Sequence, residues 1–186
     1  MPNANLEAFC RAVRERTLQH SDAVRLLHNE QLTGPIVAVL RQELDSMIRC
    51  IYLLSVKDRR LRGQLIVQSL NGQPWTTLEG KRVTDREMVT LSNRLQNWTQ
   101  NVYKFGCAFV HLSGFYDSSG RDPFDSLTQD ERNDIAHHLR YYHGFQMDAN
   151  TRFRDIVRVL PGVLEKISSN LECYVRDIEN DSDLDA

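Results

Sequence analysis

Between Thr84 and Phe115 the apolar residues Met88, Leu91, Leu95, Trp98, Val102, Phe105, Phe109 and Leu112 fall in alternating steps of three and four. That spacing lines one face of a helix and cannot line one face of a strand, whose side chains alternate with period two. Held for four heptads, it predicts a single helix of roughly 45 Å at 1.5 Å per residue. Thr84 and Glu87 mark its start, in the pattern by which a hydroxyl and a carboxylate satisfy each other's backbone N–H. Val37, Leu40, Leu44, Met47, Ile51 and Leu54 form a second seam behind Thr33-Gly34-Pro35. A third runs through Ile156, Leu160, Val163, Ile167, Leu171, Tyr174 and Ile178, with Pro161 expected to split or kink it. A weaker stripe covers about Leu6 to His28, and shorter helices are expected over about Asp58–Leu70 and Thr128–Tyr142. Thr128 and Glu131 repeat the capping pattern.

Three seams joined by short connectors predict an all-α fold, an antiparallel up-and-down helical bundle of about five to six helices. An extended coiled-coil dimer is the alternative, and the short connectors disfavour it. The whole chain, 1–186, reads as one domain, and its acidic tail, from about 178, is expected to fray. Trp75, in the connector from Asn71 to Val83, is expected to pack back onto the bundle. No stretch of about 18 apolar residues is present and the N-terminus lacks signal-peptide features, so no membrane span and a cytoplasmic location are expected. Cys10, Cys50, Cys107 and Cys173 each stand alone in a helical pattern and read as packed free thiols. Gly106 and Ala108 beside Cys107 suggest close helix approach.

Net charge is −2, so no global field draws nucleic acid, although 19 of the 23 basic residues are arginine, whose fork suits phosphate. The segment Lys57-Asp58-Arg59-Arg60-Leu61-Arg62 is locally basic. The residues most suggestive of chemistry are Arg132-Asn133-Asp134-Ile135-Ala136-His137-His138. An arginine, a polar residue and a histidine after four intervening positions resemble the Rx4-6H motif of the HEPN superfamily of helical ribonuclease-like domains. The sequence likeness covers about seven residues.

This resemblance implies a metal-independent endoribonuclease needing no cofactor, with RNA as substrate and a homodimer whose two motifs line one cleft, in a toxin or phage-defence setting. A ribose 2′-hydroxyl would attack the adjacent phosphate. His137 or His138 would act as general acid or base, an imidazole ordinarily titrating near neutral pH. Arg132 would neutralise the phosphate and Asn133 would orient RNA or the histidine. The helical wheel constrains this. Residues five apart differ by about 140°, so Arg132 and His137 cannot share a face of one regular helix. His138 lies about 70° from the apolar stripe and also satisfies the motif spacing, so both histidines stay in view.

His111, one turn from the end of the Thr84 helix, is placed by antiparallel packing at the same end of the bundle as Arg132. His143 reads as a helix-terminal histidine favoured by the dipole. Glu43 and Arg49 are further binding candidates if the second seam's helix borders the cleft, while Asp45 and Arg49, four apart, are expected to pair. The Glu-x-x-His pairs of a two-iron bundle are absent from the sequence, so no metal ligands are assigned. The competing functional class is a non-catalytic helical scaffold that binds a protein or nucleic-acid partner.

Overall fold

The computed structural model describes residues 4–111, 113–116 and 121–184. Over these the chain is all-α. Its helices are α1 (Ala4–Asn29), α2 (Thr33–Ser55), α3 (Arg59–Leu70), α4 (Asp85–Gln96), α5 (Thr99–Val110), α6 (Gln129–His143) and α7 (Leu160–Glu179). Short 3-10 turns occupy Gly114–Tyr116, Pro123–Ser126 and Phe153–Val159.

Helix α2 is the axis of the bundle, in contact with α1, α4, α5 and α7. Between Thr33 and Ser55 only Gln42 is exposed. A helix apolar on nearly every side is stable only when surrounded. All six residues of its seam are buried. Of the four buried polar residues of α2, one is fully enclosed. Glu43 is fully buried, and its Oε1 accepts from Thr17 Oγ1 at 2.7 Å and from Ser168 Oγ at 3.2 Å. His20 Nδ1 lies at hydrogen-bond distance from Oε2, 2.6 Å. A single carboxylate therefore ties α2 to both α1 and α7. On another side, Gly106 of α5 lies so close that a Cβ there would sit 2.7 Å from Arg41 Cβ. Only a residue without a side chain permits that approach.

The long helix expected from Thr84 to Phe115 is two helices. The capping box of Thr84 and Glu87 forms, but α4 ends at Asn97, which adopts the left-handed conformation at φ 57°. Asparagine tolerates this region better than other side-chain-bearing residues. The break turns Trp98 inward, where it is buried, and leaves Leu95, on the same heptad seam, exposed. Asn93 Oδ1 then accepts from Gln100 N at 3.1 Å, giving the first turn of α5 a partner. Leu112, the last residue of that seam, lies outside the described residues.

Pro161 sits in the first turn of α7, directly after the Phe153–Val159 turn, so the expected split is present. Trp75 is buried and its indole donates to Ser69 Oγ at 2.8 Å. Cys10 and Cys50 are buried and Cys107 is half-buried. Cys173 is exposed, contrary to its reading as a packed thiol. The acidic tail was expected to fray, but its described part, up to Leu184, is held. Leu184 N donates to Leu54 O at 3.0 Å. Arg59 and the buried Arg62 reach Asp183 at 2.5 and 2.7 Å. Acids spaced two apart present one row of charge to this basic segment, which composition alone did not reveal.

Truncating Glu43 leaves His20, Thr17 and Ser168 facing one another without an acceptor. Glu43→Ala is expected to lower unfolding free energy by about 3 kcal/mol or more in urea titrations. A loss below about 1 kcal/mol would show that the cluster carries little stability.

Candidate functional site

The Asn97 break and α6 enclose a groove of about 450 Å³. Its floor is apolar, from Val37, Leu40, Phe105, Ile156, Leu160 and Val163. Its walls are polar: Asn93 and Asn97 from the end of α4, Gln100 and Asn101 from α5, and Asp134 and His137 from α6. Thr128 Oγ1 accepts from Glu131 N at 3.3 Å, and Thr128 N donates to Glu131 Oε2 at 2.9 Å. This capping box fixes the start of α6 and hence the rotation that brings Asp134 and His137, one turn apart, to the groove. A Lys104–Glu131 ion pair ties α5 to α6 beside it.

His137 is exposed and stacks on Tyr141, centroids 5.9 Å apart at 14°. His138 is buried and, among the described residues, neither ring nitrogen has a hydrogen-bond partner. It packs among Trp98, Tyr142 and His143, at centroid distances of 5.5, 4.9 and 5.3 Å. Burial first, then the nearby charges of His143, Lys166 and His137, push its pKa down to about 4. It is therefore neutral at pH 7 and cannot donate a proton as an imidazolium there. His143 is also lowered, by burial and then by Lys166. Burial thus opposes the protonated form that a helix C-terminus would favour. Lys166 Nζ lies 3.9 Å from the Tyr142 centroid and 5.6 Å from that of Trp98, a cation at the groove's edge.

The remaining candidates do not converge on this groove. Arg132 Nη2 donates to the carbonyls of Asp148 and Thr151, both at 3.1 Å, and of Ala149 at 3.5 Å. It thereby fastens the 148–151 turn to α6, with its guanidinium carbon 5.5 Å from the Phe124 ring centroid. Its Nε and Nη1 make no hydrogen bond among the described residues. Asn133 is exposed and accepts from Gln129 Nε2 at 2.9 Å. His111 caps the end of α5 and is exposed. Glu43 is sealed under α1 and α7 and does not line this groove. Arg49 pairs with Asp45 at 2.8 Å, as its spacing suggests, and with Asp85 at 3.6 Å.

Asn93, Asn97, Gln100, Asn101 and Lys166 were missed in the sequence. The spacing of Asn93, Asn97 and Asn101 by four was visible, but it describes a solvent-facing helix stripe equally well. Among the described residues, no group of three or more His, Cys, Asp or Glu side chains is placed to hold a metal ion. No described helix is long and apolar enough to cross a membrane.

The depressed pKa of His138 makes stability depend on pH. Above about pH 6.5 both folded and unfolded chains carry the imidazole neutral. As pH falls from there towards about 4, the unfolded chain takes up the proton first and native stability is lost, by about 3 kcal/mol in total from this group. The difference between wild type and His138→Leu, followed by urea unfolding from pH 7 to 4, is expected to shift by that amount in favour of the variant. A pH-independent difference would contradict a buried neutral imidazole.

Comparison with protein-family models, curated proteins and solved structures returns no match for this chain.

Proposed function

We propose that this chain is a HEPN-like, metal-independent endoribonuclease that takes single-stranded RNA into the groove between the α4–α5 break and α6. The observation that carries the reading is the meeting of an exposed imidazole, His137, with the carboxamides of Asn97, Gln100 and Asn101 in one groove. Carboxamides recognise base edges through paired donor and acceptor atoms. Aromatic faces such as Tyr142 stack on unpaired bases. An imidazole moves protons at neutral pH.

In the reaction the ribose 2′-oxygen forms a bond to the adjacent phosphorus and gives its proton to a base. The bond from phosphorus to the 5′-oxygen breaks, and that oxygen takes a proton from an acid. The products are a 2′,3′-cyclic phosphate and a 5′-hydroxyl. His137 is assigned one of the two proton transfers, because it is exposed in the groove whereas His138 is buried. A second copy of the chain supplies the other, which makes the active form a homodimer. Because Arg132 of the same copy does not line the groove, the phosphate contact is assigned to Arg132 of the second copy.

A second reading, an RNA-binding module without cleavage, is favoured by one observation. Arg132 Nη2 is engaged with the carbonyls of the 148–151 turn and Arg132 does not line the groove.

Incubation of the purified protein with labelled single-stranded RNA in EDTA separates the two readings. The nuclease reading expects 2′,3′-cyclic phosphate ends, with the rate falling about 100-fold or more in His137→Ala. His138→Leu is expected to lose far less. Binding without cleavage, abolished by Asn97→Ala with Asn101→Ala, selects the binding module. Neither binding nor cleavage contradicts both.

A further inference from the structure

We infer that a separate groove, lined by Arg16, Arg49 and Arg82, binds a phosphate group. The groove encloses about 520 Å³ between α1, the second half of α2 and the 71–83 connector. Arg16 reaches it from α1, Arg49 from α2 and Arg82 from the connector. One carboxylate, Asp85, shares the lining. Three guanidiniums against one carboxylate leave a formal charge of +2 there, in a chain whose net charge is −2.

The three arginines are not equivalent. Arg49 is already compensated by Asp45 and Asp85, and its guanidinium carbon lies 5.0 Å from the Trp75 ring centroid. Arg16 and Arg82 are exposed, and among the described residues neither has an ion pair or hydrogen bond through its guanidinium. Some arginines of this protein find acids, as Arg14 does with Glu172 and Glu179 and Arg59 does with Asp181 and Asp183. Arg16 and Arg82 are thus two uncompensated forks that line one concave site together with Arg49.

The site is also firmly built. Arg82 stands on a small hairpin in which Val83 N donates to Trp75 O at 2.9 Å and Thr77 N to Lys81 O at 2.8 Å. Gln68 fastens that hairpin to α3 by accepting from Thr76 N at 3.0 Å. Phe9, Val13 and the buried Trp75 form an apolar wall. Such a wall strengthens the pull of nearby guanidiniums on an anion by excluding water. Two arginine forks match the several oxygens of one phosphate better than a single carboxylate, which one fork already satisfies. The ligand is thus a phosphate, carried either by a free phosphomonoester or by an RNA backbone. Helix α4 begins at Asp85 in this groove and ends beside Asn97 in the other, about 18 Å away along the helix. The inference does not depend on cleavage or on the first groove.

Calorimetric titration of the full chain tests it with three probes: inorganic phosphate, a 5′-phosphorylated RNA tetramer and the same tetramer with a 5′-hydroxyl. Wild type is expected to bind phosphate saturably, and Arg16→Gln with Arg82→Gln to weaken it by about tenfold or more. The single variants are expected to give intermediate losses, and they decide the question if the double variant does not fold. Preference for the 5′-phosphorylated tetramer, lost in the variants, identifies a phosphomonoester. Equal binding of both tetramers, weakened alike in the variants, identifies the backbone. No saturable phosphate binding, or binding unchanged by the substitutions, overturns the proposal.

Discussion

Helix α2 has almost no solvent face, and the rest of the structure follows from enclosing it. Apolar packing alone would allow neighbouring helices to slide and rotate, since a hydrophobic contact has no direction. Glu43 removes that freedom on one side. A buried carboxylate must find donors, and it finds them on α1 through Thr17 and His20 and on α7 through Ser168. On another side, the contact between Gly106 and the Arg41 side chain sets how closely α5 sits against α2. The Arg41 guanidinium then lies over the Tyr103 ring, 3.4 Å from its centroid, so the same residue packs at both its base and its tip.

That placement of α5 decides what happens one layer out. An unbroken helix through residue 97 would continue the seam of Leu91 and Leu95 along one straight line. The left-handed turn at Asn97 interrupts it, sends Trp98 into the core against His138 and leaves a recess beside it. Carboxamides gather at the recess because they flank the interruption. His137 reaches it because α6 is capped at Thr128 and tied to α5. The groove is thus a consequence of one backbone conformation and two helix contacts, with the buried His138 in its lining.

Much of the fold was legible because it rests on short-range rules. The α2 seam, the Thr84 and Thr128 capping boxes and the role of Pro161 each follow from residues a few positions apart. The Asn97 break escaped notice because apolar steps of three and four continue in phase across it, so periodicity alone does not register one left-handed residue. The helical wheel correctly separated Arg132 from His137. It could not show that Arg132 fastens a turn 16 to 19 residues further on, a fact of tertiary structure. Glu43 illustrates the same limit. Its neighbours in sequence suggest an exposed charged face, and only the packing of α1 and α7 reveals that it is enclosed.

The central functional claim is that the amide-lined groove beside His137 is where RNA sits. Nitrogen-edited NMR spectra of the full chain, titrated with a short single-stranded RNA, test it most directly. The account predicts saturable shifts concentrated in the side-chain amides of Asn97, Gln100 and Asn101, the His137 imidazole and the Trp98 indole. Unperturbed signals at these positions, with shifts elsewhere on the bundle or nowhere, would contradict it.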